Sequence, residues 1–432
     1  MQNLASLLCG RISTDFMHNK KQNPSDTFPK DFLFGAATSS YQTEGNNHNS
    51  DWFEWEKKRG LTPCGPACNS WNCFEDDINL LKDFGLQAYR ISLEWSRIFE
   101  SPTKVNYKVL EHYKKILASL KENNIKTFVT LQHHTLPKWL TKGWENPDIE
   151  KLFEKYAKVA AKSLHKYVDA WLPINEPAVN NAFGYFMKIF PPGKSSHIAT
   201  IKVARNQIKT HFRAYHALKE ISPKIPVGFV KQLLLLKPYR NIYSDRFLCS
   251  YYDYAFNGAY LNTFKNNRLP FSFTKLAGLS ESIDFWALNY YTHKWVSFKF
   301  PKKRQHNYDK SIETTQSGWE WNPEGLQTAI KRLWNIKQKP IYITENGIGT
   351  SEDSKRKLYI YLHLKSVLET LRENIDVKGY FYWSLLDNFE WNHGYKQNFG
   401  LADVNRETFA RLPRSSGYYL GEIAKRKTLI NY

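Results

Sequence analysis

Eight short runs of β-branched and aromatic residues, each followed by a longer stretch of different period, constrain this chain more than any other feature. The runs are FLFGAAT (32–38), AYRISLEW (88–95), KTFVTLQHH (126–134), DAWLPINEP (169–177), IPVGFVKQ (225–232), IDFWALNYYT (283–292), PIYITENG (340–347) and GYFYWSLLD (379–387). Between them apolar residues recur every three or four positions. In LEHYKKILASLKENN the stripe is Leu110, Tyr113, Ile116, Leu117 and Leu120, and in IEKLFEKYAKVAAKSLHKYV it is Leu152, Phe153, Tyr156, Val159 and Ala160. Such spacing marks amphipathic helices. Parallel strands need crossover connections, so strands alternating with helices build a parallel sheet. Eight such units predict an α/β fold, a single (β/α)8 TIM barrel with its active site at the C-terminal ends of the strands. A doubly wound open sheet would instead carry a glycine-rich phosphate turn after its first strand. FGAATSS lacks the GxGxxG spacing and no GxxxxGK[ST] occurs, so nucleotide chemistry has no support.

Length alone would suggest two or three domains for 432 residues. From Phe32 onward, however, there is no Pro/Ser-rich linker, low-complexity stretch or repeat. One barrel over 28–432 behind an extension at 1–27, expected to be disordered, is the simplest organisation. The extension has a short apolar stretch before Cys9 but no basic region ahead of it, which argues against a secretory signal and for a cytoplasmic protein. Aromatic residues make up 16% of the chain, too many for general disorder, and no apolar run approaches the ~18 residues of a membrane span. The formal charge of +20 raises nucleic acid, anionic glycans or membranes as partners. Its cationic runs are short and scattered (Lys302, Lys303 and Arg304; Lys425, Arg426 and Lys427), which fits a solvated surface without nucleic-acid or membrane binding. Five cysteines are too few for a disulfide framework. Cys64, Cys68 and Cys73 lie close in sequence, yet no companion pair supplies a fourth zinc ligand.

A barrel concentrates its chemistry where the strands end. Here YQTEG, QHH, NEP, NYYT, TENG and WSLLDNFEW all fall at or just beyond strand ends. A single polar residue there would be unremarkable, but these six ends share one face. Glu176 and Glu345 are best placed for acid/base work, because strands 4 and 7 face each other across an eight-stranded barrel. Glycoside hydrolysis uses such a carboxyl pair, one protonating the leaving oxygen while the other attacks or activates water at the anomeric carbon. Their separation, about 5 Å for retention or about 6.5–9.5 Å for inversion, is not legible in sequence.

FLFGAATSSYQTEG, WNCFEDDINLLKDFGLQAYRISLEWSRIF, TLQHHTLPKWL, INEP, LNYYT, YITENG and GYFYWSLLDNFEWNHGYKQNFGL occur in this order. Together they resemble glycoside hydrolase family 1, the retaining β-glucosidases and β-galactosidases, from about residue 28 to the C-terminus. The resemblance implies Glu345 as nucleophile and Glu176 as acid/base, with Tyr291 bonded to the nucleophile and Asn175 holding the sugar 2-OH. It further implies Gln42, His133, Glu390 and Trp391 as ligands of the outer hydroxyls, Trp383 as the floor under the sugar, Asn289 in the polar lining and Phe399 in the wall. His134 departs from the family, which commonly has Trp there. Glu390 stands where the 6-phospho-β-glycosidase branch has serine, which implies a neutral terminal sugar, and Glu176 stands where myrosinases have Gln. The expected activity is a retaining exo-β-glycosidase acting on terminal β-D-glucosyl residues, and on galactosyl or fucosyl residues as well. A β-mannosidase or transglycosylating member is the alternative within the family, and a catalytically silent glycan-binding relative the alternative from another class. The partner implied is a small β-glycoside or oligosaccharide, and the chemistry requires no metal or organic cofactor. The chain is shorter than the usual member, with little between Glu345 and Trp383, which implies a wider aglycone side. Oligomeric state is left open.

Overall fold

Each predicted strand becomes a strand of one parallel sheet. The computed structural model describes residues 26–299 and 313–432. The barrel strands are β1 (Leu33–Ala37), β2 (Ala88–Ser92), β3 (Lys126–Gln132), β4 (Ala170–Ile174), β5 (Gly228–Gln232), β6 (Phe285–Asn289), β7 (Ile341–Asn346) and β8 (Val377–Trp383). Their order in the sheet is β4-β3-β2-β1-β8-β7-β6-β5. A parallel bridge between Trp171 and Val227, with Trp171 N–H donating to Pro226 O at 2.9 Å, joins the two ends and closes the barrel. Residues 1–25, with Cys9 and most of the predicted extension, lie outside the described residues, as does the run Lys302, Lys303 and Arg304. Asp26 and Thr27 are described, and they pair with the end of the chain through the Thr27–Thr428 bridge and the Leu429 N–H to Asp26 O bond of 2.9 Å.

The eight principal helices are α1 (Phe74–Phe84), α2 (Tyr107–Glu122), α3 (Ile149–Leu164), α4 (His197–Ile221), α5 (Ala259–Asn266), α6 (Pro323–Ile336), α7 (Asp353–Arg372) and α8 (Ser415–Arg426). Local chemistry sets several of their ends. Asn106 and Ser196 cap α2 and α4 by accepting from Val109 N and Ala199 N, and α1 stops at Gly85 in the left-handed region at φ 72°. The buried face of α2 is Leu110, Tyr113, Ile116, Leu117 and Leu120, the stripe its spacing predicts. In α3 the buried face is rotated from the predicted one: Leu152 and Val159 are only half-buried, whereas Ala157, Ala161 and Leu164 are buried. Helix α3 packs along α4, and its buried face is rich in alanine.

Two apolar layers result. The helices cover the outside of the sheet, while a second cluster fills the barrel with small residues (Ala37, Ala88, Ala170, Ala287) set against large ones (Phe128, Phe285, Phe381). Gly228 belongs to that fit, because a Cβ there would meet the Phe285 ring at 2.4 Å. Outside the barrel Leu235–Pro238 pairs with His293–Val296, and Ala402–Val404 with Arg411–Pro413. No helix among the described residues is long and apolar enough to cross a membrane.

Candidate active site

The carboxyl ends of the strands carry the polar residues inward, and the backbone leaves the sheet to do so. After β4 the chain turns at Glu176, whose φ is 44°, and Pro177 then opens a short helix. Proline fits that first helical position because its missing N–H would have no partner there. Glu345 is the penultimate residue of β7 and pairs in register with Asn289 of β6 next to an irregularity in the ladder. Gly347 follows, and a Cβ there would lie 1.8 Å from Trp383 O, so the TENG glycine is fixed by the close passage of β8. The Trp383–Ser384 peptide is cis.

At the centre lies a residue the sequence reading did not select. Arg90 of β2 is fully buried, and its guanidinium donates to Glu345 Oε1, to Asn175 Oδ1 at 2.6 Å and to Thr130 Oγ1 at 3.1 Å. The signal available was a charged side chain in the middle of a strand predicted to be buried, since Arg is almost never fully buried unless paired. Tyr291 O–H donates to the other Glu345 oxygen at 2.7 Å. Asn289 Nδ2 donates to Glu176 Oε1 at 2.8 Å and to Asn175 Oδ1 at 3.2 Å, and Thr344, also not selected, donates to Asn289 Oδ1 at 2.7 Å. Asn289 also favours the ionised form of Glu345, after Arg90 and Tyr291.

The two carboxyls have different surroundings. Burial, and then the charge of Glu345, push the Glu176 pKa up to about 8 against the hydrogen bond from Asn289. Burial raises Glu345 too, but Arg90 and Tyr291 oppose it by favouring the carboxylate. The surroundings therefore favour the protonated form at Glu176 and oppose it at Glu345 through Arg90 and Tyr291.

Around this pair the remaining predicted residues form a connected wall. His133 Nε2 lies 3.1 Å from Asn175 Nδ2, and its ring stacks on Trp383 at 5.6 Å. Burial holds His133 well below the usual imidazole pKa, so it is neutral. Gln42 Nε2 donates to Glu390 Oε2 at 3.2 Å, to Asn388 Oδ1 at 3.0 Å and to Phe389 O at 2.8 Å, and Trp383 also hydrogen-bonds Glu390. Trp391 stacks on Tyr41 at 6.0 Å and packs on Trp52 at 4.6 Å, which makes it as much part of a packed aromatic cluster as a surface for ligand. Phe399 shares an apolar cluster with Trp383 and lies 6.3 Å from the Tyr291 ring and 6.4 Å from Trp319. Trp319 was not predicted, because its segment has no regular period.

The clustered cysteines lie behind this site, with Cys64 in the same apolar cluster as Tyr41 and Trp391. Cys64 Sγ meets Tyr41 O at 3.2 Å, Cys68 Sγ meets Asp387 O at 3.3 Å, and Cys64, Cys68, Cys73 and Cys249 are free thiols. Among the described residues no group of three or more His, Cys, Asp or Glu is arranged to hold a metal ion.

Paired buried carboxyls at the mouth of a parallel barrel, walled by amides and aromatic rings, define the class of barrel glycosidases. The chain belongs to glycosyl hydrolase family 1, whose profile matches residues 24–429. Beta-glucosidase A of Acetivibrio thermocellus is 32% identical over 441 residues, covering 92% of this chain and 98% of that one. Among solved structures, a beta-glycosidase from Pyrococcus horikoshii superposes with a TM-score of 0.86 at 36% identity, covering 94% of this chain and 96% of the other. The beta-glucosidase from Thermotoga maritima in complex with glucoimidazole gives a TM-score of 0.86 at 30% identity over 94% of this chain and 100% of that one.

Proposed function

We propose that this protein is a retaining exo-β-glycosidase that hydrolyses terminal non-reducing β-D-glucosyl residues and accepts galactosyl or fucosyl residues. The observation that carries the reading is the division of labour between the two carboxyls: Glu176 protonated by burial and by its neighbour, Glu345 held ionised by Arg90 and Tyr291. Arg90 and Tyr291 hold one oxygen of Glu345 each, which supports Glu345 as an oriented nucleophile and with it the retaining course.

In the first step Glu345 attacks the anomeric carbon, the bond to the aglycone oxygen breaks, and Glu176 gives its proton to that oxygen. The product is a glycosyl ester on Glu345. Esterification removes the charge that helped to raise Glu176, so its pKa falls and it becomes a base. It then takes a proton from water, whose oxygen attacks the anomeric carbon and releases Glu345 as carboxylate. On this reading Asn175 holds the sugar 2-OH, Gln42, His133, Glu390 and Trp391 take the outer hydroxyls, Trp383 meets the apolar face of the ring, and Asn289 and Phe399 complete the lining. Glu390, whose pKa burial and the charge of Glu345 raise to about 8, suits hydrogen bonding to sugar hydroxyls and offers a phosphate no counter-charge, which favours a neutral sugar over a 6-phosphate. The relatives reported above are β-glucosidases and a β-glycosidase, which favours glucosides over β-mannosides. With both carboxyls present, hydrolysis is also favoured over silent glycan binding. Four free thiols among the described residues support a reducing, cytoplasmic setting. We take 28–432 as the catalytic barrel behind an extension at 1–27.

The test is a panel of nitrophenyl β-glycosides with the unaltered protein, Glu345→Gly and Glu176→Ala. The β-glucoside is expected to react fastest, both variants to lose most activity, and azide to restore each by forming a glycosyl azide. Full activity in Glu345→Gly, or failure of azide with both variants, overturns the assignment.

A further inference from the structure

His134 is the wall residue that departs from the family, and the structure gives it a chemical role. It sits at φ 67°, is 7% exposed, and packs its ring against Phe190 at 5.6 Å and Trp391 at 5.2 Å. Its Nδ1 lies 3.0 Å from Asn180 Oδ1. The Asn180 amide has one orientation, because its Nδ2 donates to the main-chain carbonyl of Asn175 at 3.1 Å and a carbonyl can only accept. Asn180 Oδ1 is therefore the acceptor, His134 Nδ1 carries the proton, and Nε2 presents a lone pair. That lone pair faces Glu176 Oε2 at 3.7 Å. The other Glu176 oxygen accepts from Asn289 at 2.8 Å, which leaves Oε2 as the oxygen that bears the acidic proton.

We propose that His134 is a positioning residue for Glu176: in the substrate-free site its Nε2 accepts a hydrogen bond from the Glu176 carboxyl and so holds that group in its acid form. The proposal rests on the reading of Glu176 as acid/base. A gap of 3.7 Å is wider than a hydrogen bond, but the terminal carboxyl torsion of Glu is broad and hydrogen bonds in unliganded sites are often long. The imidazole is neutral, since burial lowers its pKa to about 4. The titratable or charged groups facing it are Glu176, His133 and Arg90, while Asn180, Phe190 and Trp391 bring no charge. Glu176 is further acted on by Glu345, Arg90 and Lys231.

The sign follows. A hydrogen bond to the protonated form raises a carboxyl pKa, so its loss lowers that pKa. The measurement is the pH dependence of kcat/KM for phenyl β-glucoside, whose basic limb reports the free acid. His134→Phe is expected to move that limb to lower pH by about 0.5–1 unit, and His134→Gln, whose side-chain carbonyl can accept the same bond, to return most of the shift. A limb that stays in place or moves to higher pH in His134→Phe overturns the proposal. Should His134→Phe fail to fold, 15N spectra of histidine-labelled unaltered protein decide: Nδ1–H with bare Nε2 is expected at His134, and the reverse tautomer contradicts it. Glu176→Ala tests the underlying reading separately. It should lose kcat/KM toward phenyl β-glucoside while keeping it toward the 2,4-dinitrophenyl glucoside, whose leaving group needs no proton. If that contrast is absent, the acid/base reading falls; if it is present and the limb is unmoved, the His134 inference falls alone.

Discussion

Arg90 ties its own strand β2 to three others: its guanidinium reaches Glu345 on β7, Asn175 beyond β4 and Thr130 on β3. A planar fork reaches all three at once, whereas an ammonium is a single point of charge on a flexible stem. Arg90→Lys is expected to keep the fold while lowering kcat/KM about a hundredfold, the usual effect of a catalytic group displaced by about 1 Å. Circular dichroism and steady-state kinetics check this, and near-normal kcat/KM would remove Arg90 from the machinery. At this scale the sequence was most informative where chemistry is concentrated in short motifs. Glu176, Asn175, Glu345 and Tyr291 stand in NEP, TENG and NYYT, and the fold brings them together. Arg90 was not selected because it sits inside a strand where period-based reading looks only for apolar residues. Trp319 was missed for a different reason, since it joins Tyr291 and Phe399 from a segment with no repeat of its own.

Among the elements, the helices are held mainly by the faces they bury. Leu117 of α2 is fully buried under the sheet, whereas Lys108 on the same helix is exposed. Leu117→Ala is expected to destabilise the protein by about 2–5 kcal/mol through lost burial and the cavity left behind, and Lys108→Ala by less than about 0.5 kcal/mol. Chemical or thermal denaturation measures both, and similar costs would contradict the packing described. The existence and type of every barrel strand were legible, because short β-branched runs between amphipathic stretches admit few other arrangements. Their ends were less so. The runs at 88–95, 126–134 and 169–177 continue past the observed strands into residues that leave the sheet. A run of β-forming residues carries no mark of where a backbone turns, and at Glu176 the turn is a left-handed conformation visible only in three dimensions. The stripe of α3 was misjudged by part of a turn because alanine, weakly hydrophobic in sequence, is the residue that close helix packing favours.

For the whole molecule, the length that suggested several domains is taken up largely by one closed barrel, with its connections serving as walls of the site. The closure itself, β4 against β5 through Trp171, lies in no motif and follows only from the strand count. The +20 charge belongs to the molecule as a whole, whereas the centre is organised around two carboxyls and one buried guanidinium. The central claim is that these groups form a glycosyl ester on Glu345. It is tested most directly by incubating the protein with 2,4-dinitrophenyl 2-deoxy-2-fluoro-β-glucoside, which slows the second step, and mapping the product by peptide mass spectrometry. One 2-fluoroglucosyl group per chain, on the peptide that contains Glu345, is the predicted result. Turnover without a covalent adduct, or an adduct on another residue, would contradict it.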